Sequence, residues 1–329
     1  MLEDKFGRKI SYLRLAVTDK CNLRCTYCMP TKNMKFLPKK EILTLEELFR
    51  VTSVLSQEGI NKVRITGGEP FARSGIMELI EDISQLPKVD AVNITTNGLI
   101  AHAYLDKIKK SNVNSLNLSL DSLDRTNFFN ITRFDSLLPT LDFLYESLDL
   151  GLHIKLNMVV MNGSNDHEVI DMAKFALKHK VALRYIEEMP FNGKNDKTEL
   201  VKPLTHLHIK DMLEAEFGNL LPRINAPGST SVNYTIDGYE TSIGIIPAYS
   251  RTFCGDCNRM RITATGELKT CLYQKNGTSL KSLLRDNCSD EELISVIKSS
   301  IGQKPKDGFA AEANYQKHDV FSSMSTIGG

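Results

Sequence analysis

Strand-like runs at residues 12–18, 63–66, 92–95, 115–120, 153–160 and 182–188 alternate with amphipathic stretches at 45–55, 76–86, 101–110, 137–148 and 167–179. A strand followed by a helix-length apolar stripe, repeated in series, forces parallel strand pairing with crossover helices, which predicts an α/β fold. Six such units suit a partial, TIM-like (β/α)6 barrel better than a closed eightfold one. Parallel strands covered on both faces are usually continuous apolar runs, but these alternate. Because successive strand side chains point to opposite faces, one face carries Leu13, Leu15, Val63, Ile65, Val92, Ile94, Leu116, Leu118, Ile154, Leu156 and Leu183. The other carries Arg14, Lys62, Arg64, Thr66, Asn93, Thr95, Ser115, Asn117, Ser119, Lys155, Asn157 and Arg184. Its cations, Arg14, Lys62, Arg64, Lys155 and Arg184, have no carboxylate among them. Unpaired buried charge is costly, so the face either meets water or holds an anion such as a triphosphate.

That local charge stands out against a balanced whole. In 329 residues, 41 Lys and Arg face 40 Asp and Glu, which predicts neither nucleic acid nor a membrane surface as partner. No run approaches the roughly 18 apolar residues of a membrane span, and Met1 to Lys5 lacks the sections of a signal peptide. The chain is expected to be soluble and cytoplasmic.

The seven cysteines fall into two groups of three plus Cys288. Cys21, Cys25 and Cys28 form C-x3-C-x2-C directly after the first strand. Structural zinc takes four protein ligands and a 4Fe-4S cube uses one thiolate per iron, so three clustered thiols leave one corner free for a small molecule. A zinc knuckle completed by a distant His or Cys is the plainer alternative. Cys254, Cys257 and Cys271 form C-x2-C-x13-C, with a hairpin around Thr265-Gly266 that returns Cys271 to the other two. If Cys288 joined them, the set would be a four-thiolate zinc site. Ser289-Asp-Glu-Glu, a helix-start signal, makes Cys288 instead a free thiol beside a helix terminus.

A turn-rich stretch at 226–231 follows a helix-like run at 204–217 and marks a domain boundary. The expected division is a partial barrel over residues 1–225 and a smaller α+β cluster-binding domain over 226–329. The second domain is expected to hold strands at 232–236 and 241–246, the cysteine hairpin, and helices near Leu280 and Glu291.

The C-x3-C-x2-C set, with Tyr27 before its third cysteine and Gly67-Gly68-Glu69-Pro70 downstream, resembles the radical S-adenosylmethionine superfamily. The run Cys254 to Leu272, with Asn258-Arg259-Met260-Arg261 after the second cysteine, is similar to the second cluster motif of the GTP 3',8-cyclase family, and the resemblance extends from Arg14 to the end of the chain. It implies two 4Fe-4S clusters, held by Cys21, Cys25 and Cys28 and by Cys254, Cys257 and Cys271. It also implies S-adenosylmethionine contacts at Tyr27, Gly68, Ser119 and Met189, and GTP contacts at Arg14, Arg64, Thr95, Lys155, Arg259, Met260 and Arg261. Lys62 and Arg184 are further candidates for the phosphates. A backbone free of side chain at Gly68 lets the methionine end approach closely, and the closing Gly328-Gly329 is implied to enter the active site.

The implied activity is radical cyclisation of GTP to (8S)-3',8-cyclo-7,8-dihydroguanosine 5'-triphosphate, the first step of molybdenum cofactor biosynthesis. Cyclic pyranopterin monophosphate synthase would be the downstream enzyme, the electron donor is unspecified, and the chain would act as a monomer or homodimer. No acid–base pair is nominated as catalytic. Two rivals are a peptide-modifying maturase, which should carry more carboxy-terminal cysteines, and a zinc-stabilised binding module, which should carry zinc rather than iron.

Overall fold

The computed structural model describes residues 1–29, 31, 33–191, 203–224, 228–313 and 322–328. Strands β1 (Tyr12–Ala16), β2 (Lys62–Thr66), β3 (Ala91–Thr96), β4 (Val113–Ser119), β5 (Ile154–Val160) and β6 (Ala182–Glu187) pair in sequence order, every pair parallel. The crossovers carry α1 (Leu45–Gln57), α2 (Ile76–Ser84), α3 (Leu105–Lys110), α4 (Arg125–Thr132), α5 (Leu137–Asp149) and α6 (Val169–Lys178). The strand order does not close on itself, so this is the open, partial (β/α)6 barrel that the alternation predicts. Each expected strand lies within two residues of its observed bounds. The expected helix at 101–110 is a 3-10 turn, Ala101–Tyr104, followed by α3.

The outward apolar face is the core. Leu13, Leu15, Val63, Ile65, Ile94, Leu118, Leu156 and Leu183 are fully buried against the helices, each worth about 1.5–3 kcal/mol relative to exposure. Helix α4 was not legible from periodicity: its sequence, RTNFFNIT, carries little apolar patterning. Asp124 starts it by accepting from the Asn127 backbone N–H at 2.7 Å.

The carboxy-terminal elements follow as α7 (His206–Phe217), β7 (Leu221–Pro222), β8 (Val232–Thr235), β9 (Ser242–Ile246), β10 (Arg259–Ile262), β11 (Glu267–Lys269), β12 (Thr278–Ser279), α8 (Lys281–Arg285), α9 (Asp290–Gly302), α10 (Gly308–Glu312) and α11 (Met324–Ile327). They extend the same sheet on both edges. Strand β9 pairs parallel with β6, and β10 pairs parallel with β1, setting Arg261 beside Arg14 and Arg259 beside Tyr12. The hairpin expected around Gly266 is β10–β11. Residues 225–227, at the expected boundary, lie outside the described residues.

Helix α9 starts with a capping box: Ser289 Oγ accepts from the Glu292 N–H at 3.2 Å, and the Glu292 carboxylate accepts from the Ser289 N–H at 2.8 Å. Replacing Ser289 by alanine is expected to cost about 1 kcal/mol of stability, read as a lower denaturant midpoint with unchanged slope.

Candidate active site

The carboxy-terminal ends of the parallel strands carry the first thiol group. Beyond β1 the chain turns through Thr18 to Lys20 into Cys21. Beyond β2, Gly68 and Glu69 donate backbone N–H bonds to the Thr18 and Lys20 carbonyls, both at 2.8 Å. A side chain at Gly68 would collide with the Lys20 carbonyl, so the glycine is required by the chain's own loop, quite apart from any ligand. The thiol loop is held from outside by α4, whose Thr132 and Ile131 carbonyls accept from the Arg24 and Thr26 N–H groups at 3.1 and 2.9 Å. Asn97, after β3, donates to Asn22 Oδ1 at 2.8 Å and faces Cys21 Sγ at 3.7 Å. Tyr27 donates to Asp121 Oδ2, beyond β4, at 2.8 Å.

Two buried carboxylates stand here that the sequence reading gave no role. Glu69 accepts from Thr96 Oγ1 and the Asn97 N–H at 2.8 Å each, yet burial pushes its carboxyl up to about 7. Asp121 is likewise raised by burial, to about 6. Burial, reinforced by these charges, pushes the Cys21 and Cys28 thiols up to about 11 and 12 and Cys25 well above its usual value. Such thiols stay protonated until a metal displaces the proton.

The second group sits in the loop before β10 and just after β11. Cys257 donates its N–H to the Cys254 carbonyl at 3.3 Å. Burial raises the Cys257 thiol, but Arg259 and Lys304 outweigh it and hold the group at about 6. Cys271 packs with Met189, Leu272 and Met324 around Phe191, Tyr273, Ala311 and Ile327. Cys288 instead packs at the edge of the main core, and its carbonyl accepts from Arg50 Nη2 at 2.5 Å.

Both thiol groups line one cavity of about 690 Å³, together with Tyr27, Gly68, Ser119, Met189, Arg14, Arg64, Thr95, Lys155, Arg259 and Arg261. Lys62 and Arg184 line it too. The strand register aligns Arg261, Arg14, Arg64 and Asn93 as one row across β10, β1, β2 and β3. Thr95 and Lys155 both pair with Asn117, forming a second row. Met260 is the exception: its side chain turns to the opposite face and is buried in the main core.

This wall is short of anions. Burial lowers Arg14 to about 10, with Tyr12 opposing the shift and Arg64 and Arg259 adding to it. Burial and the charges of Arg184, Arg64 and Lys62 lower Lys155 to about 8. Burial and neighbouring cations also depress Arg261, well below its usual value. Tyr12, which the sequence reading passed over, accepts from Arg64 Nε at 2.5 Å; burial raises its phenol, but Arg64, Arg14 and Lys62 pull it down to about 7. Arg14 Nε, Arg259 Nη1, Asn93 Nδ2 and Asn117 Oδ1 are buried without a hydrogen-bond partner. Buried polar atoms are normally satisfied, so this wall is built to meet a polar, anionic ligand.

The carboxy-terminal segment bridges the two groups. Ser323 Oγ donates to the Cys28 carbonyl at 2.6 Å, and Arg261 Nη1 donates to the Gly328 carbonyl at 2.5 Å. Gly328, at φ +89°, presses on Ala16 and Thr66 where a Cβ would come within 2.8 Å. Gly329 lies outside the described residues.

An open parallel sheet with three thiols at its carboxy-terminal mouth defines a radical S-adenosylmethionine enzyme, and the Radical SAM superfamily model matches residues 15–176. The Molybdenum Cofactor Synthesis C model matches residues 181–310. A GTP 3',8-cyclase of Clostridium perfringens is 38% identical over 100% of both chains, and one of Desulforamulus reducens is 39% identical over 99% of both. Molybdenum cofactor biosynthesis protein 1 of Drosophila melanogaster is 34% identical over 96% of this chain and 56% of its own length. The chain belongs to the GTP 3',8-cyclase family. In structure it resembles Streptococcus suis SuiB bound to its precursor peptide SuiA, with TM-score 0.65 and 15% identity over 97% of this chain and 76% of that one; that likeness concerns the fold.

The cofactors are two 4Fe-4S clusters and S-adenosylmethionine. Among the described residues no three His, Cys, Asp or Glu side chains form a group that could hold a metal ion. The thiols instead stand as two trios, close enough for their charges to interact within each trio, on the wall of one chamber. That donor set fits two three-thiolate clusters. Among the described residues no helix is long and apolar enough to cross a membrane.

Proposed function

We propose that this lyase cyclises GTP to (8S)-3',8-cyclo-7,8-dihydroguanosine 5'-triphosphate, opening molybdenum cofactor biosynthesis in the cytoplasm, as a monomer or homodimer, and handing its product to a cyclic pyranopterin monophosphate synthase. The observation that carries the reading is the shared chamber: both thiol trios and the unneutralised cation rows face the same cavity. Cys21, Cys25 and Cys28 would hold the first cluster, which with S-adenosylmethionine would supply the one-electron chemistry needed to remove hydrogen from the ribose C3'.

The chain's own residues bind and orient. Tyr27, Gly68, Ser119 and Met189 border the S-adenosylmethionine end. Arg14, Arg64, Lys155, Arg259 and Arg261, aided by Thr95, Lys62 and Arg184, would hold the triphosphate by charge-assisted hydrogen bonds. Met260 contributes through its backbone position between the two arginines, since its side chain lies in the core. Cys254, Cys257 and Cys271 would hold the second cluster, which would supply an open coordination position for the guanine. Fixing base and phosphates at separate points would present C3' for hydrogen abstraction and exclude water, the positional gain that such chemistry requires. The reading divides the chain into residues 1–225, bearing the first cluster, and 226–329, bearing the second.

Reconstituted protein given S-adenosylmethionine, reductant and one nucleoside triphosphate at a time is expected to consume GTP with formation of 5'-deoxyadenosine, and to leave ATP, CTP and UTP unchanged. Equal turnover of ATP, or cleavage of S-adenosylmethionine with no nucleotide consumed, would overturn the assignment.

A further inference from the structure

The two thiol trios sit in opposite electrostatic surroundings. The first faces the buried carboxylates of Glu69 and Asp121; among the described residues its backbone also meets Arg24, whose Nη1 donates to the Cys21 carbonyl at 2.6 Å, and Arg133, whose Nη1 donates to the carbonyl of Met29, next to Cys28, at 3.2 Å. Around the second, each cysteine-bearing segment is tied to a cation. Arg8 Nη1 donates to the Cys254 carbonyl at 2.9 Å, and Arg259 Nη2 lies 3.5 Å from Cys257 Sγ. Lys304, 2% exposed, donates from Nζ to the carbonyl of Thr270, the residue before Cys271, and to that of Arg259 at 2.9 Å. Asp307, near Cys254, and Asp4, whose Oδ2 accepts from Arg8 Nε at 2.6 Å, are opposing charges.

Lys304 comes from the end of α9, and its ammonium ties the Arg259 carbonyl of β10 to the turn that carries Cys271. Taking up an electron adds negative charge to a cluster, which a buried cation favours and a buried carboxylate opposes. Neither effect is much screened by salt when the groups are buried.

We infer that Lys304 is a positioning residue that sets the second cluster at a higher reduction potential than the first, so that the second takes up an electron before the first does. The inference rests on the reading that both trios hold clusters. A reductant strong enough for the first cluster then finds the second already reduced when the guanine arrives.

The test is a dithionite titration of the anaerobic holoenzyme, followed by electron paramagnetic resonance without ligands. Signals are assigned by which of them S-adenosylmethionine perturbs and which GTP perturbs. The GTP-sensitive signal is expected at the higher potential; the reverse order, in protein with about eight irons per chain, overturns the inference alone. About four irons per chain overturns the two-cluster reading beneath it. In Lys304→Met the reduced-to-oxidised ratio of the second cluster at fixed poise is expected to fall at least tenfold, about 59 mV for one electron, with the first cluster unmoved and Lys304→Arg close to the parent. A Lys304→Met protein whose second cluster titrates as the parent does overturns the inference. If that variant fails to hold the cluster, the order in the parent protein decides.

Discussion

Replacing Cys28 by alanine is expected to halve the iron content, from about eight to about four per chain, and to abolish 5'-deoxyadenosine formation while leaving the fold and the second cluster in place. The backbone contacts at this position use its N–H, bonded to the Cys25 carbonyl at 3.0 Å, and its carbonyl, which accepts from Ser323. Neither is lost with the thiol, so the change isolates the sulfur. The surrounding carboxylates sharpen the effect: with Asp121 and Glu69 nearby, two remaining thiolates make a poor seat for a cube. Iron analysis and a product assay on anaerobically reconstituted protein measure both outcomes. Unchanged iron content would remove Cys28 from the ligand set.

The second large effect is expected at Arg261. It is half-buried, stands in register with Arg14, and is crowded by the charges of Arg14 and Arg259. A charge-assisted hydrogen bond contributes about 1.5–3 kcal/mol, so Arg261→Ala should weaken GTP binding by about 10- to 150-fold with the iron content unchanged. The same substitution frees the Gly328 carbonyl, bonded to Nη1 at 2.5 Å. Arg261→Lys, which keeps the charge but loses the planar fork, separates the two roles: a lysine supports phosphate attraction better than a two-point grip. Calorimetric GTP binding under anaerobic conditions is the measurement, and parental affinity in Arg261→Ala would end the role assigned to it.

How far the chain could be read without coordinates follows from what each signal encodes. Period-two alternation gave both faces of the barrel, because side-chain direction along a strand is a local property. The inward row Arg14, Arg64, Asn93 and the outward row Leu13, Val63, Val92 both came from it. Thiol spacing gave the two trios for the same reason. What stayed hidden is non-local. That β10 lies against β1 depends on pairing between residues about 250 apart, and no window on the sequence contains it. Asp121 and Lys304 carry no mark in the sequence, since only burial distinguishes them from solvated neighbours, and Glu69 was legible only as a member of Gly67-Gly68-Glu69-Pro70. Gly68 was noticed as a close-approach position, and the structure adds the Lys20 carbonyl as a neighbour that itself demands a glycine.

The parallel pairing of β1 with β10 has a consequence for how the protein is made. Sequential synthesis delivers Tyr12–Ala16 to the exit tunnel long before Arg259–Ile262, and at about 5–20 residues per second the interval is roughly 12 to 50 s. Through that wait one margin of an almost complete sheet has its amides and carbonyls unmatched, an invitation to pair with another nascent copy. Iron loaded at Cys21, Cys25 and Cys28 during the same interval would sit beside an unfinished wall, open to oxygen until the last strand arrives.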